Sequence, residues 1–95
     1  MASIEISCTN KLQTLNDHMG ITHLGGGGQR WKKEQIVFAL NEKSDNYFIV
    51  VNNRRSELSL YLQGYGVHVR AHADGLWNND LLTLENCPDT MPVMQ

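Results

Sequence analysis

The feature that most constrains the fold is an alternation of apolar and polar residues with a period of two. In SIEISCT (residues 3–9), Ile4 and Ile6 alternate with polar residues. ELSLYL (57–62) and VHVRAHAD (67–74) have the same period. Because the side chains of a strand point alternately to its two faces, each segment is predicted to be a strand with one buried face.

A further strand and two turns join these segments into a meander. YFIVV (47–51) is apolar throughout and rich in β-branched and aromatic residues, so we predict a central strand covered on both faces. Asn52 and Asn53 tolerate a positive φ, which favours a tight hairpin turn after it, and Gly64 and Gly66 flank Tyr65 at the next reversal. Asp74 and Gly75 mark the end of the last strand of this three-stranded antiparallel unit.

One segment departs from the period of two and follows helical spacing. In KKEQIVFALNEK (32–43), Ile36, Ala39 and Leu40 would share one side of a helix, and most of the other residues are good helix formers. The predicted fold class is α+β: a small antiparallel β-sheet of about four to five strands packed with one α-helix near residues 32–43. The 95 residues are enough for one domain (1–95), with residues 89–95 as a loose tail.

Charge and hydropathy exclude several classes of protein. The net charge is -2, but residues 30–70 carry seven bases against four acids, whereas residues 71–95 carry four acids and no base. No apolar run approaches the roughly 18 residues of a membrane span, and the first residues do not resemble a secretory signal. We therefore expect a soluble cytoplasmic protein without a membrane partner.

Two cysteines, Cys8 and Cys87, are too few for the disulfide framework of a secreted domain, so no bridge is predicted. Whether they are free, bridged or metal-bound stays open. No cofactor is predicted, and the alternative is a zinc site. Together with His18 and His23, the cysteines would form a Cys2His2 set, provided that distant segments of the chain converge.

Several short segments, taken in order, resemble an uncharacterised family of short bacterial and phage proteins that contain a domain of unknown function. That family has an ITH-hydrophobic-GG segment and a closing LLSL-x-x-CP segment. The matching segments are CTNK (8–11), N-DH (16–18), ITHLGG (21–26), Trp31, YFIV (47–50), ADG (73–75) and NNDLLTLENCP (78–88). The resemblance implies a single small domain and brings no established activity with it.

The glycine run in GGGGQRWKK (25–33) raises the question of phosphate binding. It lacks the Gly-Lys-Ser or Gly-Lys-Thr end of a phosphate-binding loop and the spacing of a dinucleotide fingerprint, so both motifs are excluded. Two interpretations stay open. The helix N-terminus with Arg30, Lys32 and Lys33 could seat an anion, or the run could be a surface loop with Trp31 anchored in the core.

The leading hypothesis for function is a small non-catalytic module that binds another protein, as an inhibitor or adaptor does. The alternative is a binder of a small anion or nucleotide through the helix N-terminus and a basic strand face, and the third is a zinc-binding domain. An enzyme is not expected, because no nucleophile has a recognisable catalytic context. Nucleic acid is an unlikely partner, because the net charge is negative and few aromatic residues are available for stacking on bases. Dimerisation by edge pairing stays open. The candidate binding residues are Gly26, Gly27, Arg30, Trp31, Lys32, Lys33, Arg54, Arg55, His68, Arg70 and His72.

Overall fold

The computed structural model of the chain describes residues 2–12, 20–63 and 66–94. The strands in these ranges are β1 (Ala2–Glu5), β2 (Cys8–Lys11), β3 (Ile21–Gly26), β4 (Gln29–Lys32), β5 (Asp45–Val51), β6 (Arg54–Gln63), β7 (Gly66–Ala73), β8 (Leu76–Asn78), β9 (Glu85–Asn86) and β10 (Val93–Met94). The helix α1 spans Lys33–Glu42, and a short 3₁₀ helix spans Asp80–Thr83. Within the described ranges, no helix has the length and apolar character that crossing a membrane requires.

The strands form two five-stranded sheets, where the sequence had predicted one. In the first, here called the meander sheet, the order is β1-β5-β6-β7-β8, and β5 to β8 pair antiparallel in sequence order. The second sheet has the order β10-β4-β3-β2-β9, with β9 and β10 parallel to their neighbours. The α+β class, the meander and the helix near residues 32–43 are confirmed.

The alternating segment at residues 3–9 does not form one strand, because the chain passes there from the meander sheet to the second sheet. The amide of Ile6 donates to the carbonyl of Phe48, whereas the amide of Ser7 donates to the carbonyl of Gly25, both at 2.8 Å. The crossing is close: a Cβ at Gly26 would lie 2.0 Å from the carbonyl oxygen of Glu5. A glycine is therefore required where the two sheets meet.

The core lies between the two sheets and is closed by α1 and the 3₁₀ helix. Ile36 and Ala39 are the buried residues of the helix, as its spacing predicted. Each buried aliphatic side chain contributes about 1.5–3 kcal/mol to stability. The buried cluster contains Ile6, Ile21, Leu24, Ile36, Ala39, Tyr47, Ile49, Leu58, Val69, Ala71 and Leu81.

Strand β5 has neighbours on both edges, but only one of its faces is covered by the core. Tyr47 and Ile49 are buried, whereas Val50 is 45% exposed. The prediction of a strand covered on both faces was therefore wrong. The apolar character of the other face has a local explanation at Phe48, whose ring is covered by the guanidinium group of Arg55 at 3.9 Å.

Among the described residues, two short turns set the register of the meander sheet, and the predicted reversal at residues 64–65 lies outside them. Asn52 and Asn53 have φ values of 52° and 65°, which confirms the predicted hairpin turn between β5 and β6. Asp74 and Gly75, at 54° and 80°, make the corresponding turn between β7 and β8. Two consecutive residues with positive φ suit the right-handed twist of the strands that they join.

The glycine run forms part of a β-hairpin. Gly25 and Gly26 belong to β3, and Gly27 and Gly28 form the two-residue turn between β3 and β4 with φ values of 63° and 84°. Strand β4 then leads directly into α1. The glycines therefore build a tight hairpin of the second sheet.

Residues 87–94, here called the strap, run from β9 at one edge of the second sheet to β10 at the other. Cys87 forms a disulfide bond with Cys8 of β2. The prediction of no bridge was therefore wrong, because the pairing of β2 with β9 brings the two distant cysteines together. The end of the strap pairs with β4, and the amide of Arg30 donates to the carbonyl of Pro92 at 2.9 Å. The prediction of a loose tail at residues 89–95 did not include these contacts.

Candidate binding surface

A row of side chains crosses four strands of the meander sheet on the side away from the core. The register pairs Phe48 of β5 with Glu57 of β6. His72 of β7 lies opposite Glu57, and Trp77 of β8 lies opposite His72. Because side chains alternate along a strand and Ile49 is buried in the core, this row faces outward. We call the side that carries it the outer face.

Two aromatic rings and an arginine form a packed cluster at one end of the row. The ring centroids of Tyr61 and Trp77 lie 5.0 Å apart, with the ring planes at 77°. The guanidinium carbon of Arg70 lies 4.8 Å from the Tyr61 centroid and 5.6 Å from the Trp77 centroid. These distances are typical of edge-to-face aromatic and cation–π contacts. Trp77 nevertheless remains 44% exposed.

Hydrogen bonds fix the polar side chains around this cluster. Arg70 donates through Nη2 to Oδ1 of Asn79 at 3.1 Å, while its buried Nε atom has no hydrogen-bond partner in the described part of the chain. Nε2 of His72 lies 2.7 Å from Oγ of Ser59, and its ring centroid lies 5.5 Å from that of Trp77. These contacts connect the polar side chains to the cluster.

A second arginine lies on the outer face at the other end of the row. Arg55 covers the ring of Phe48 and donates through Nη2 to Oε1 of Glu57 at 3.3 Å. The side chains of Arg55 and Glu57 are both about half exposed, so their ion pair contributes little to stability. The outer face thus has an aromatic ring with a stacked arginine at each end.

Arg54 and Lys33, which the sequence placed in a basic binding surface, lie elsewhere, and His68 lies opposite Tyr61 in the register but is buried. Arg54 forms an ion pair with Asp80 at the start of the 3₁₀ helix. His68 is only 7% exposed, and its Nδ1 lies 3.4 Å from Nζ of Lys33. The predicted basic residues are thus divided among separate environments. Of these residues, Arg55, Arg70 and His72 have the outer-face contacts described above.

The glycine hairpin contributes to a different feature, an open cleft of about 450 Å³. Gly26, Gly27 and Trp31 line it, and the rest of its lining consists of Ile4, Glu5, Ser7 and Gln29. Trp31 belongs to β4, and its ring meets that of Tyr47 edge to face at 6.3 Å. Burial, with a smaller contribution from Asp45, raises the pKa of Tyr47. Trp31 therefore packs against the core, as one of the two interpretations predicted.

Arg30 holds the strap to the second sheet, a role that the sequence did not indicate. Its Nε donates to the carbonyl of Met91 at 2.8 Å, and its Nη2 donates to that of Asp89 at 3.2 Å. Its Nη1 donates to Oδ1 of Asn10 at 2.8 Å. Lys32 lies at the helix start, where its amide donates to the side chain of Gln35. Arg30 thus binds the strap and Lys33 lies beside His68, while the register places Lys32 opposite His23.

The cysteines of the predicted zinc set are joined to each other. Because Cys8 and Cys87 form a disulfide, neither sulfur is a thiolate ligand in this structure. His18 lies outside the described residues. Nδ1 of His23 lies 2.9 Å from Oγ1 of Thr22, and burial, followed by the charges of Arg30 and Lys32, lowers its pKa. The described residues contain no group of three or more metal-binding side chains.

Sequence reasoning missed Trp77, Phe48 and Ser59 as members of one surface. The signal was present for Trp77: a two-residue turn at positions 74 and 75 pairs residue 73 with residue 76, and therefore His72 with Trp77. For Phe48, the prediction of a fully buried strand concealed its outward side chain.

Comparison with known proteins places the chain in a family. No curated protein and no solved structure matches the sequence. The family model described as "Protein of unknown function (DUF3892)" matches residues 5–85. This match confirms the resemblance to an uncharacterised family and covers strands β2 to β8, the helix and the row on the outer face, whereas the strap lies beyond it. The chain therefore belongs to the DUF3892 family of proteins of unknown function.

Proposed function

We propose that this protein is a small non-catalytic module that binds another protein through the outer face of the meander sheet. The observation that carries the proposal is the cluster of Tyr61, Arg70 and Trp77 on an outward-facing sheet surface. Tryptophan, tyrosine and arginine are the residues most enriched among the energetically dominant positions of protein interfaces. Action as an inhibitor or adaptor, a cytoplasmic location and a bacterial or phage origin are further parts of this proposal.

The order within the cluster supports recognition of a large partner. Tyr61 and Trp77 hold each other edge to face, and Arg70 is held over both rings. Side chains that are already fixed lose little conformational entropy when they bind, so more of their contact energy is retained as affinity. The clefts beside Ser59 and His72 on this face are open and measure about 300 and 260 Å³, so they offer contacts to a protein surface rather than enclosing a small molecule.

Binding of a small anion has less support. Arg54 is paired with Asp80, and Arg55 is paired with Glu57 on the outer face itself. An anion at either arginine would have to compete with a neighbouring carboxylate. On the outer face, the guanidinium group of Arg70 contacts aromatic rings and the amide of Asn79. A single guanidinium group is a weak basis for selecting a nucleotide.

The short contact between Ser59 and His72 does not change the assignment to a non-catalytic module. Its length of 2.7 Å is within the range of a nucleophile and its base. Acyl transfer also needs donors placed to stabilise an oxyanion, in a site that excludes water. The pair lies on an open sheet face, so we assign the hydrogen bond to holding the His72 ring against Trp77.

The test compares Trp77→Ala with Phe38→Ala, since Phe38 is a 67% exposed aromatic residue of α1 that lies outside the cluster. Tagged wild-type protein and both variants are used for quantitative capture from cells that encode the chain, after circular dichroism confirms that each is folded. We expect a specific partner whose recovery falls roughly tenfold or more with Trp77→Ala and is unchanged with Phe38→Ala. Its recovery should depend weakly on salt.

Recovery that is unaffected by Trp77→Ala, or is lost equally in both variants, would remove the outer face as the contact surface. A thermal-shift screen of the wild type against nucleotides and inorganic anions examines the alternative. Stabilisation by one nucleotide, lost with Arg70→Ala and weakened steeply by salt, would favour the anion-binding hypothesis instead.

A further inference from the structure

The strap is attached to the second sheet at three places. Its first residue, Cys87, is bonded to Cys8 of β2. Its middle is held by Arg30 of β4 through the carbonyls of Asp89 and Met91. Its last residues form β10 beside β4. Because β9 and β10 lie at opposite edges of the sheet, the strap connects the two edges across the intervening strands.

The sheet is shaped to accept the disulfide that begins the strap. Gly25 of β3 pairs with Cys8 on one side and with Arg30 on the other. A Cβ at Gly25 would lie 2.8 Å from the sulfurs of both Cys8 and Cys87 and 3.2 Å from Cβ of Arg30. The position therefore has no room for a side chain while the disulfide is formed.

Apart from the disulfide, the strap is held mainly by hydrogen bonds, and few of its own side chains are buried. Pro88, Asp89, Thr90, Pro92 and Met94 are exposed, so the strap buries little apolar surface. Its backbone contacts with the second sheet include the bonds to Arg30, one from the amide of Cys87 to the carbonyl of Thr9, one from Nδ2 of Asn10 to the carbonyl of Cys87, and the short β10 pairing. Ordering a segment of this length costs conformational entropy that such bonds offset only in part.

From this balance we propose that the disulfide between Cys8 and Cys87 is a redox-sensitive latch, and that its reduction releases the strap from the second sheet. The proposal does not depend on the proposed function. Release would free the donors of Arg30 that now bind the carbonyls of Asp89 and Met91, and would uncover the edge of β4 that β10 covers. An arginine freed next to an open strand edge is suited to a carboxylate-bearing extended segment.

The chemistry is thiol–disulfide exchange with a dithiol reductant. One thiolate of the reductant attacks a sulfur of the disulfide, forms a mixed disulfide and displaces the other cysteine as a thiolate. The second thiol of the reductant then attacks the mixed disulfide. Two electrons and two protons pass to the protein, which leaves Cys8 and Cys87 as thiols and the reductant as a disulfide. Both sulfurs are buried, so attack requires the exposed strap to open locally first.

Amide hydrogen exchange measured by NMR before and after dithiothreitol treatment tests the latch. The amides of Arg30 and Cys87, here called the strap amides, report whether the strap is attached to the second sheet. The Arg30 amide donates to the carbonyl of Pro92, and the Cys87 amide donates to that of Thr9. The amide of Ile6 donates to Phe48 at 2.8 Å and serves as the internal control. We expect dithiothreitol to reduce the folded protein, and both strap amides then to exchange roughly tenfold faster or more while Ile6 is unchanged.

Three results would overturn the latch. The disulfide could resist reduction unless denaturant unfolds the protein, which would make it a purely structural bond. The strap amides could keep their protection after reduction, or Ile6 could lose protection to the same degree as Arg30. The variant Cys8→Ser/Cys87→Ser provides a second reading: its strap amides should exchange at the rates of the reduced wild type, and exchange at the oxidised rates would also contradict the proposal.

Discussion

Replacing Cys8 and Cys87 together by alanine should strongly destabilise the fold. The disulfide joins residues that are 79 positions apart, so it restricts nearly the whole unfolded chain. For a loop of this length the chain-entropy model gives a loss of about 4.5 kcal/mol at 25 °C when the link is removed. That figure is large against the roughly 5–15 kcal/mol that separates folded from unfolded states in most domains.

The assay is urea unfolding of the wild type and the double variant, followed by far-UV circular dichroism and tryptophan fluorescence. With roughly 1–3 kcal/mol lost per molar urea, the expected midpoint shift is about 1.5–4.5 M. Wild-type protein unfolded in dithiothreitol should approach the variant, and the variant itself should not respond to the reductant. These controls separate loss of the bond from loss of packing around the cysteine side chains.

A loss below about 1 kcal/mol would refute the entropic reasoning. It would mean either that the unfolded chain is already compact or that the reduced fold relaxes by releasing the strap, which lowers the free energy of the reduced native state. Hydrogen exchange distinguishes the two: relaxation accelerates exchange at the Arg30 amide, and a compact unfolded state does not.

Three further outcomes are expected. Gly25→Ala should cost about 1–3 kcal/mol in urea unfolding, because its Cβ would press on both sulfurs, and much less in the Cys8→Ala/Cys87→Ala background. Asn53→Val should cost about 1–2 kcal/mol, since φ is 65°, whereas Asn53→Gly should be neutral or stabilising. His23 has a lowered pKa in the folded protein, so the stability that it contributes is present above pH 6.5 and is lost as pH falls through the folded pKa. Unfolding at pH 7.5 and pH 5 should therefore differ less for His23→Gln than for the wild type.

The parts of the fold that the sequence predicted correctly are those determined by local physics. Helix α1 follows from the spacing of Ile36 and Ala39, and the first turn of the meander follows from the tolerance of Asn52 and Asn53 for positive φ. The crossing between sheets was missed because the alternation runs through Ile6 without interruption. A period of two shows which side chains are buried, but it does not show which sheet buries them.

The residues of the candidate site also differ in whether local sequence determines their contacts. Arg30 was predicted to face a ligand from its place beside Trp31, but its partners Asp89 and Met91 lie 59 and 61 positions away. No local pattern contains such a contact. The outer face is different, because each pair in its row is fixed by the length of one hairpin, as with His72 and Trp77 after the turn at positions 74 and 75.

The outer face and the disulfide lie in different sheets. The row from Phe48 to Trp77 belongs to strands β5 to β8, whereas the disulfide and Arg30 hold the second sheet. Hairpin registers are set by their own turns, so the outer face should keep its geometry when the strap is released. A partner bound through Trp77 should therefore be retained by the reduced protein with its affinity little changed. If reduction abolished that binding while the Ile6 amide kept its protection, the geometry of the outer face would depend on the strap and would not be set by its own hairpin turns.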